Sequence, residues 1–319
     1  MSTFSLKKLA KQPELLTSGH RLCAGCGAGI VGRLVMSSLR KPGNTIVVQP
    51  TGCFEVATTI YPETAWKVPW LHSAFENAAS TASGIVAAYR SFKRRKDTVE
   101  EPDVICISGD GGTLDIGFQA LSGAWERGDR FVYVLYDNQG YMNTGTQRSS
   151  ATPYSAWTTT TPVGKILPGN VIWRKPIARI AVEHDIPYVA TANPAYWRDH
   201  MEKLRKALEA EGPAFIHSLA PCPLGWRFPS DSTIQIARLA TETCVFPLWE
   251  CVDGGYKLSH PSRARERDSR RKKPVVKFLE LQGRFRHLFK PRRRNDIIKL
   301  IQRHVDNEWD LILSRCGLA

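Results

Sequence analysis

The chain has 319 residues, 42% of them apolar, and a formal net charge of +14. There is room for one large domain or two small ones, the apolar share is that of an ordinary soluble globular protein, and no run of about 18 or more apolar residues offers a membrane span. Residues 257–304 hold 17 Lys and Arg against 4 Asp and Glu, so the rest is nearly neutral; that speaks against a nucleic-acid-binding body and for a basic docking surface near the C-terminus, a solvated basic face being the plain alternative.

The first residues lack the apolar core of a secretory signal. Eight cysteines, two of them as Cys-x-x-Cys, point to a reducing, cytoplasmic setting and a metal or redox role rather than a disulfide framework. Cys23 and Cys26 stand within reach of one metal centre, and Gly25, Gly27 and Gly29 allow the tight turn around it. A helix is predicted over 30–39, ending near Pro42-Gly43, then a strand over 45–49. Thr51-Gly52-Cys53 leaves that strand as a loop, so a third thiol sits just past a strand end. Residues 69–92 read as a helix whose small side chains suit close packing on a sheet, with His72, Glu76 and Asn77 at its capped start.

The stretch 103–143 organises the rest. Residues 104–108 are a short apolar run read as a buried strand. Gly109-Asp110-Gly111-Gly112 breaks it, helical spacing follows over 114–127, and 131–136 is a second strand ending in Asp137-Asn138. Strand, Gly-rich turn, helix and strand make a right-handed crossover with parallel strands. Asp110 and Asn138 then lie at the carboxyl ends of neighbouring strands, where open α/β sheets bind ligands. A carboxylate and an amide oxygen are hard ligands suited to Mg²⁺, while the glycines and the helix start suit a phosphate. Gly-Asp-Gly, 26 intervening residues and Asn resembles the motif of thiamine diphosphate enzymes; a simple Gly-Asp-Gly turn is the alternative.

Beyond Asn138, a Thr/Pro/Ser-rich stretch runs to about Gly169 and reads as a functional loop or lid. A helix is expected over 177–184, a strand over 188–191, a helix over 197–211 and a strand over 215–219. That last strand leads to Cys222, a fourth thiol past a strand end. Regularity fades from about Leu224, apart from a hairpin over 246–256 and a terminal amphipathic helix over 295–313. Cys106, Cys244, Cys251 and Cys316 sit among apolar residues or near the terminus and receive no role. Spacing alone leaves zinc, a [4Fe–4S] cluster and a redox Cys-x-x-Cys all open for the other four.

The motifs CAGCGAG at Cys23, TGC at Cys53, YPETAWKVPWLHSAFENAAS, GDGGTLDIGFQALSGAWERG, YDNQGYMNTGTQRSSATP and PCPLGW at Cys222, extended by QGRF at Gln282, carry a resemblance over nearly the whole chain. It is to the β subunit of multi-subunit pyruvate:ferredoxin oxidoreductases (pyruvate synthases). The resemblance implies a thiamine diphosphate-binding α/β fold: a mostly parallel sheet with helices on both faces and an irregular basic C-terminal extension. Residues 1–224 would be the thiamine diphosphate and iron–sulfur domain, and 225–319 the docking extension. Cys23, Cys26, Cys53 and Cys222 would ligate a [4Fe–4S] cluster. Asp110, Asn138 and the Gly140 carbonyl would bind Mg²⁺. Gly109, Asp110, Gly111, Gly112 and Asn138, Gln139, Gly140, Tyr141, Met142, Asn143 would contact thiamine diphosphate, with Cys53 also against it and Asn143 facing the 2-oxo acid.

The implied reaction takes pyruvate and coenzyme A to acetyl-CoA and CO₂, with electrons passing to ferredoxin. Thiamine chemistry needs a Glu against the aminopyrimidine ring. Glu55 and Glu76 are poor candidates, so that Glu and much of the substrate pocket are expected from a partner α subunit, with γ and δ subunits as further partners. The alternatives are an enzyme for 2-oxoisovalerate or 2-oxoglutarate, a non-redox thiamine enzyme with structural zinc, and a non-catalytic binding subunit. The role of the Arg-rich run 263–273 is not supplied by the resemblance.

Overall fold

A computed structural model describes residues 4–60, 62–96 and 98–318; Tyr61, which opens the YPETAW motif, lies outside them. Eight strands form one sheet: β1 Thr45–Pro50, β2 Trp70–Ser73, β3 Asp103–Gly109, β4 Val132–Asp137, β5 Tyr188–Ala192, β6 Ala214–Leu219, β7 Trp249–Val252 and β8 Gly255–Leu258. Their order is β2-β1-β3-β4-β6-β5-β7-β8. The first six are parallel, and β7 and β8 close one edge antiparallel. The main helices are α1 Gly27–Met36, α2 Cys53–Thr58, α3 Ala78–Arg94, α4 Phe118–Glu126, α5 Ile177–Val182, α6 Trp197–Glu209, α7 Thr233–Glu242 and α8 Asn295–Arg315.

Helices cover both faces, which is why the central strands read as unbroken apolar runs. On β4, Val132, Val134 and Tyr136 face one core with α1 and α6. Tyr133 and Leu135 face the other, built with α3, α4, α5, α7 and α8. The period-2 alternation is present but masked, because both sides are buried.

Several local expectations change. Trp70–Ser73 is an edge strand rather than part of a helix, so His72 lies on β2 and only Asn77 stands at the start of α3, where its side chain makes no capping bond. The helix after Gly-Asp-Gly begins as a wider turn, Gly111–Ile116, in which the Gly117 N–H donates to Gly112 O at 3.0 Å, five residues back. The long stretch after Asn138 is stitched down. The Asn170 amide donates to the carbonyls of Thr152, Pro153 and Ile172 at 2.8–3.1 Å, and Trp157 N–H donates to Arg284 O at 3.0 Å. Its tip remains open, with Ile166 92% exposed.

The segment from 225 onward shares the sheet and core of the preceding residues. Its hairpin turns at Asp253 and Gly254, both at positive φ, the backbone of a tight two-residue turn, and β7 pairs with β5. Part of the Arg-rich run is tied inward, Lys273 to Glu242 at 2.7 Å and Lys272 to Asp306 at 2.6 Å. Among the described residues, no helix is long and apolar enough to cross a membrane.

One buried group ties stability to pH. His200 on α6 is fully buried, with Nε2 2.9 Å from Ser218 Oγ on β6 and Nδ1 unbonded. Burial, then the neighbouring Lys203 ammonium, pushes its pKa down to about 3. Between the ordinary value near 6.5 and 3 the unfolded chain takes up a proton that the folded one refuses. Stability should therefore fall on acidification from pH 6.5 towards 3, by up to ~1.4 kcal/mol per pH unit from this group. In His200→Gln, denaturant unfolding followed across that range should give a flatter pH profile; an unchanged slope would refute the assignment.

Candidate functional site

Four adjacent strands deliver the site. Cys53 follows β1, Asp110 follows β3, Asn138 follows β4 and Cys222 follows β6, and β1-β3-β4-β6 is the centre of the sheet. All four leave the carboxyl ends, so side chains up to 169 residues apart in sequence share one rim. Cys23 and Cys26 reach it from the turn before α1, where Gly27 N–H donates to Pro221 O at 3.1 Å and Thr233 Oγ1 to Gly25 O at 2.6 Å. Gly25 is at φ +69, and a Cβ there would collide with the Ser230 carbonyl, so only glycine lets this turn lie so close to the segment after Cys222.

At the centre, Asp110 is 1% exposed and makes no ion pair among the described residues. Ser149 Oγ donates to its Oδ2. Burial, then the Asp137 carboxylate, pushes the Asp110 carboxyl well above its usual range. One arm of the Asn138 amide lies 2.8 Å from Asp110 Oδ1 and 2.8 Å from the Gly140 carbonyl. With nothing between them that arm is best as NH₂, donating to both. With a divalent cation between them the amide turns its oxygen in, and three hard oxygens face the ion. The donor set therefore fits Mg²⁺.

The loop after β4 is held from behind. Asp137 Oδ1 accepts from Gln139 N–H at 3.0 Å, while its Oδ2 is 2.7 Å from His217 Nε2. Gln139 stands at φ +67. Arg284, 2% exposed, donates to Gln139 Oε1 at 2.6 Å and to Gln282 Oε1 at 2.9 Å, and lies 3.9 Å over the Trp226 ring. Trp226 in turn donates its indole N–H to Asn138 O at 2.6 Å. Next to this loop, Tyr141 packs so tightly on Gly111 that a Cβ there would enter its ring, and its hydroxyl donates to Asp115 at 2.8 Å. The missing side chain at Gly111 is thus what lets Tyr141 pack onto the Gly-rich turn. Asn143 is exposed at the loop's outer end.

The four thiols form one electrostatic neighbourhood. Cys53 is pushed up to about 12 by burial, then by Cys222, Cys26, Cys23 and Asp110; Cys222 is pushed up to about 11 by burial, with Cys26 and Cys23 adding to it. Burial also raises Cys26, with Cys23 contributing. Opposing this, Gly225 N–H donates to Cys222 Sγ at 3.3 Å, and the Ala28 and Gly29 N–H groups favour the Cys26 thiolate without closing a capping bond. Thiols set among N–H donors and one another suit metal-bound thiolates. No three His, Cys, Asp or Glu side chains among the described residues are gathered around the position of a single ion. Cys106, Cys244 and Cys251 are buried elsewhere.

The structure thus brings Asp110, Asn138, Gly140 and the Gly109–Gly112 turn together, with the four cysteines beside them. Sequence reading assigned no role to Ser149, Asp115, Asp137, Trp226 or Arg284. The only signal for the last two was the presence of PCPLGW and QGRF among recurrent motifs.

Comparison with known proteins shows the family and the fold. The family model for the C-terminal thiamine pyrophosphate-binding domain of thiamine pyrophosphate enzymes matches residues 50–218. Pyruvate synthase subunit PorB of Methanocaldococcus jannaschii is 49% identical over 301 residues, covering 94% of this chain and 96% of that protein. Ketoisovalerate oxidoreductase subunit VorB of Pyrococcus abyssi is 43% identical over 297 residues, covering 93% and 92%. Among solved structures, the 2-oxoglutarate:ferredoxin oxidoreductase of Magnetococcus marinus superposes with a TM-score of 0.53 at 20% identity, over 75% of this chain and 81% of that one, a likeness of fold.

Arg284→Lys tests the clamp. An ammonium cannot lie flat on the indole and donate to both glutamines. We expect a loss of about 1–3 kcal/mol in unfolding free energy and faster amide hydrogen exchange at residues 138–143, with no change for the exposed control Arg293→Lys. Unaltered exchange in that loop would show that Arg284 does not hold it.

Proposed function

The chain belongs to the pyruvate synthase PorB family, among the 2-oxoacid:ferredoxin oxidoreductases, and from that membership we propose that it is the subunit holding thiamine diphosphate, Mg²⁺ and a [4Fe–4S] cluster for the oxidative decarboxylation of pyruvate. The observation that carries the proposal is the shared rim: an oxygen trio at Asp110, Asn138 and Gly140 beside four neighbouring thiols, delivered by the central strands and the turn before α1.

Asp110, Asn138 and the Gly140 carbonyl hold Mg²⁺. The segments 109–112 and 138–143 would hold the diphosphate, with Cys53 beside the cofactor and Asn143 towards the 2-oxo acid. Thiamine diphosphate, when bound, supplies the electron sink that lets a 2-oxo acid lose CO₂. Cys23, Cys26, Cys53 and Cys222 hold the cluster, a one-electron store whose potential is set in part by hydrogen bonds to its sulfurs. The protein's own work is positional. Asp110, its pKa raised by burial, would be held ionised by a bound cation, and Arg284 and Trp226 fix the loop that carries Asn138. The N–H donors at Cys26 and Cys222 favour thiolates.

Pyruvate is the proposed substrate, coenzyme A the acyl acceptor and ferredoxin the electron partner, the uncompensated part of the basic surface being suited to an acidic protein. The Glu that assists thiamine comes from a partner α subunit. Here Glu55 is 7% exposed, bonded by Thr59 Oγ1 at 2.8 Å and 3.8 Å from His72.

Anaerobic co-purification with the partner subunits tests this. We expect a brown protein with about four irons per chain, bleached by dithionite, and thiamine diphosphate retained only with Mg²⁺. Asp110→Asn should keep the iron and weaken cofactor binding by about 100-fold or more, beyond what even outer partners of metal ligands contribute. Cys222→Ala should lose iron. A colourless zinc protein would overturn the cluster, and turnover by this chain alone would overturn the partner's role.

A further inference from the structure

A cavity of ≈ 360 Å³ opens between the sheet, the loop leading into α5 and the terminal helix α8, within the size range of small-molecule sites. Asp110, Asn138 and the four clustered cysteines do not line it. Most of its wall is aliphatic or aromatic, with Ile177, Phe246, Phe278 and Ile301 among the lining residues. One side is a stack of three rings, Tyr154 on Trp173 at 4.5 Å and Trp173 on His304 at 3.8 Å. Such a stack props the space open, because each ring is braced by the next.

The charges on this wall do not balance. Asp137 is taken by His217 at 2.7 Å and Glu308 by Arg179 at 3.2 Å. Arg174 and Lys175 are left, and neither has an ion pair among the described residues. Arg174 Nη2 donates to Val245 O at 3.3 Å, but its Nη1 is sealed from water and bonds nothing. Lys175 donates to the Leu114 carbonyl and lies 5.2 Å over the Phe118 ring. Two cations without a facing carboxylate on a largely apolar wall favour an anionic ligand.

We propose that this cavity binds a small organic carboxylate with an apolar, aromatic or branched body, its carboxylate on Arg174 and Lys175. The planar guanidinium matches a carboxylate, and the largely apolar wall excludes a sugar phosphate or other many-hydroxyl ligand. This site is independent of the function proposed above, since none of its binding groups takes part in that chemistry.

Calorimetric titration of phenylacetate into the assembled complex tests it. The expected result is saturable binding of one molecule per chain, weakened about tenfold or more by Arg174→Met and abolished by Val305→Trp, which fills the space from α8 without touching a charge. Benzyl alcohol, the same ring without the anion, should not compete. Equal binding by Arg174→Met, or by Val305→Trp if the first variant does not fold, would overturn the proposal. So would competition by benzyl alcohol, displacement by pyruvate, or binding to the isolated chain that vanishes in the complex.

Discussion

A carboxylate shut away from water without a cationic partner is the constraint on which this structure turns. Removing an ionised group from water is costly unless it is paired or bound to metal, and Asp110 has a hydroxyl donor, its own backbone N–H and an ambivalent amide beside it, with no cation among the described residues. The surrounding geometry makes that arrangement durable. Asn138 cannot drift, because Trp226 holds its carbonyl, and Gln139 is kept in a left-handed conformation by Asp137 on one side and Arg284 on the other. A residue at φ +67 that is not glycine persists only where its neighbours over-determine it.

The thiols obey the same logic with the opposite remedy. Burial first, and repulsion from neighbouring thiols second, raise Cys26, Cys53 and Cys222 and favour their protonated forms. Iron would reverse that preference, since metal binding and deprotonation are linked. The two centres are also mechanically joined. Met142, in the loop that follows Asn138, packs on Gly225, whose N–H is directed at the Cys222 sulfur.

The parts legible in the sequence were those with short-range signatures. The crossover from β3 to β4 announced itself through apolar runs around Gly-Asp-Gly and Asp-Asn, and the relevant cysteines stood out because they followed strands or a glycine turn, unlike Cys106 inside β3. Residues whose role depends on distant partners stayed silent. Nothing near Arg284 says that it reaches Gln139, 145 residues away, nor near Trp226 that it reaches Asn138, 88 residues away. The edge strand Trp70–Ser73 was lost because four mostly exposed residues carry no usable period. The wide turn at Gly111–Ile116 was read as ordinary helix because apolar spacing does not distinguish bonds to the fourth residue back from bonds to the fifth.

The long reach of Arg284 also orders events in time. Chains emerge from the ribosome from the amino end, and contacts between distant residues wait for the later one. The strands that carry Asp110 and Asn138 are synthesised well before the guanidinium that steadies their loop. A nascent polypeptide therefore has the clustered oxygens of Asp110, Asn138 and Gly140 early but cannot lock them until its last tenth or so has been made. Truncation near the carboxyl end would leave a sheet with a loosened grip, a defect felt far from the cut.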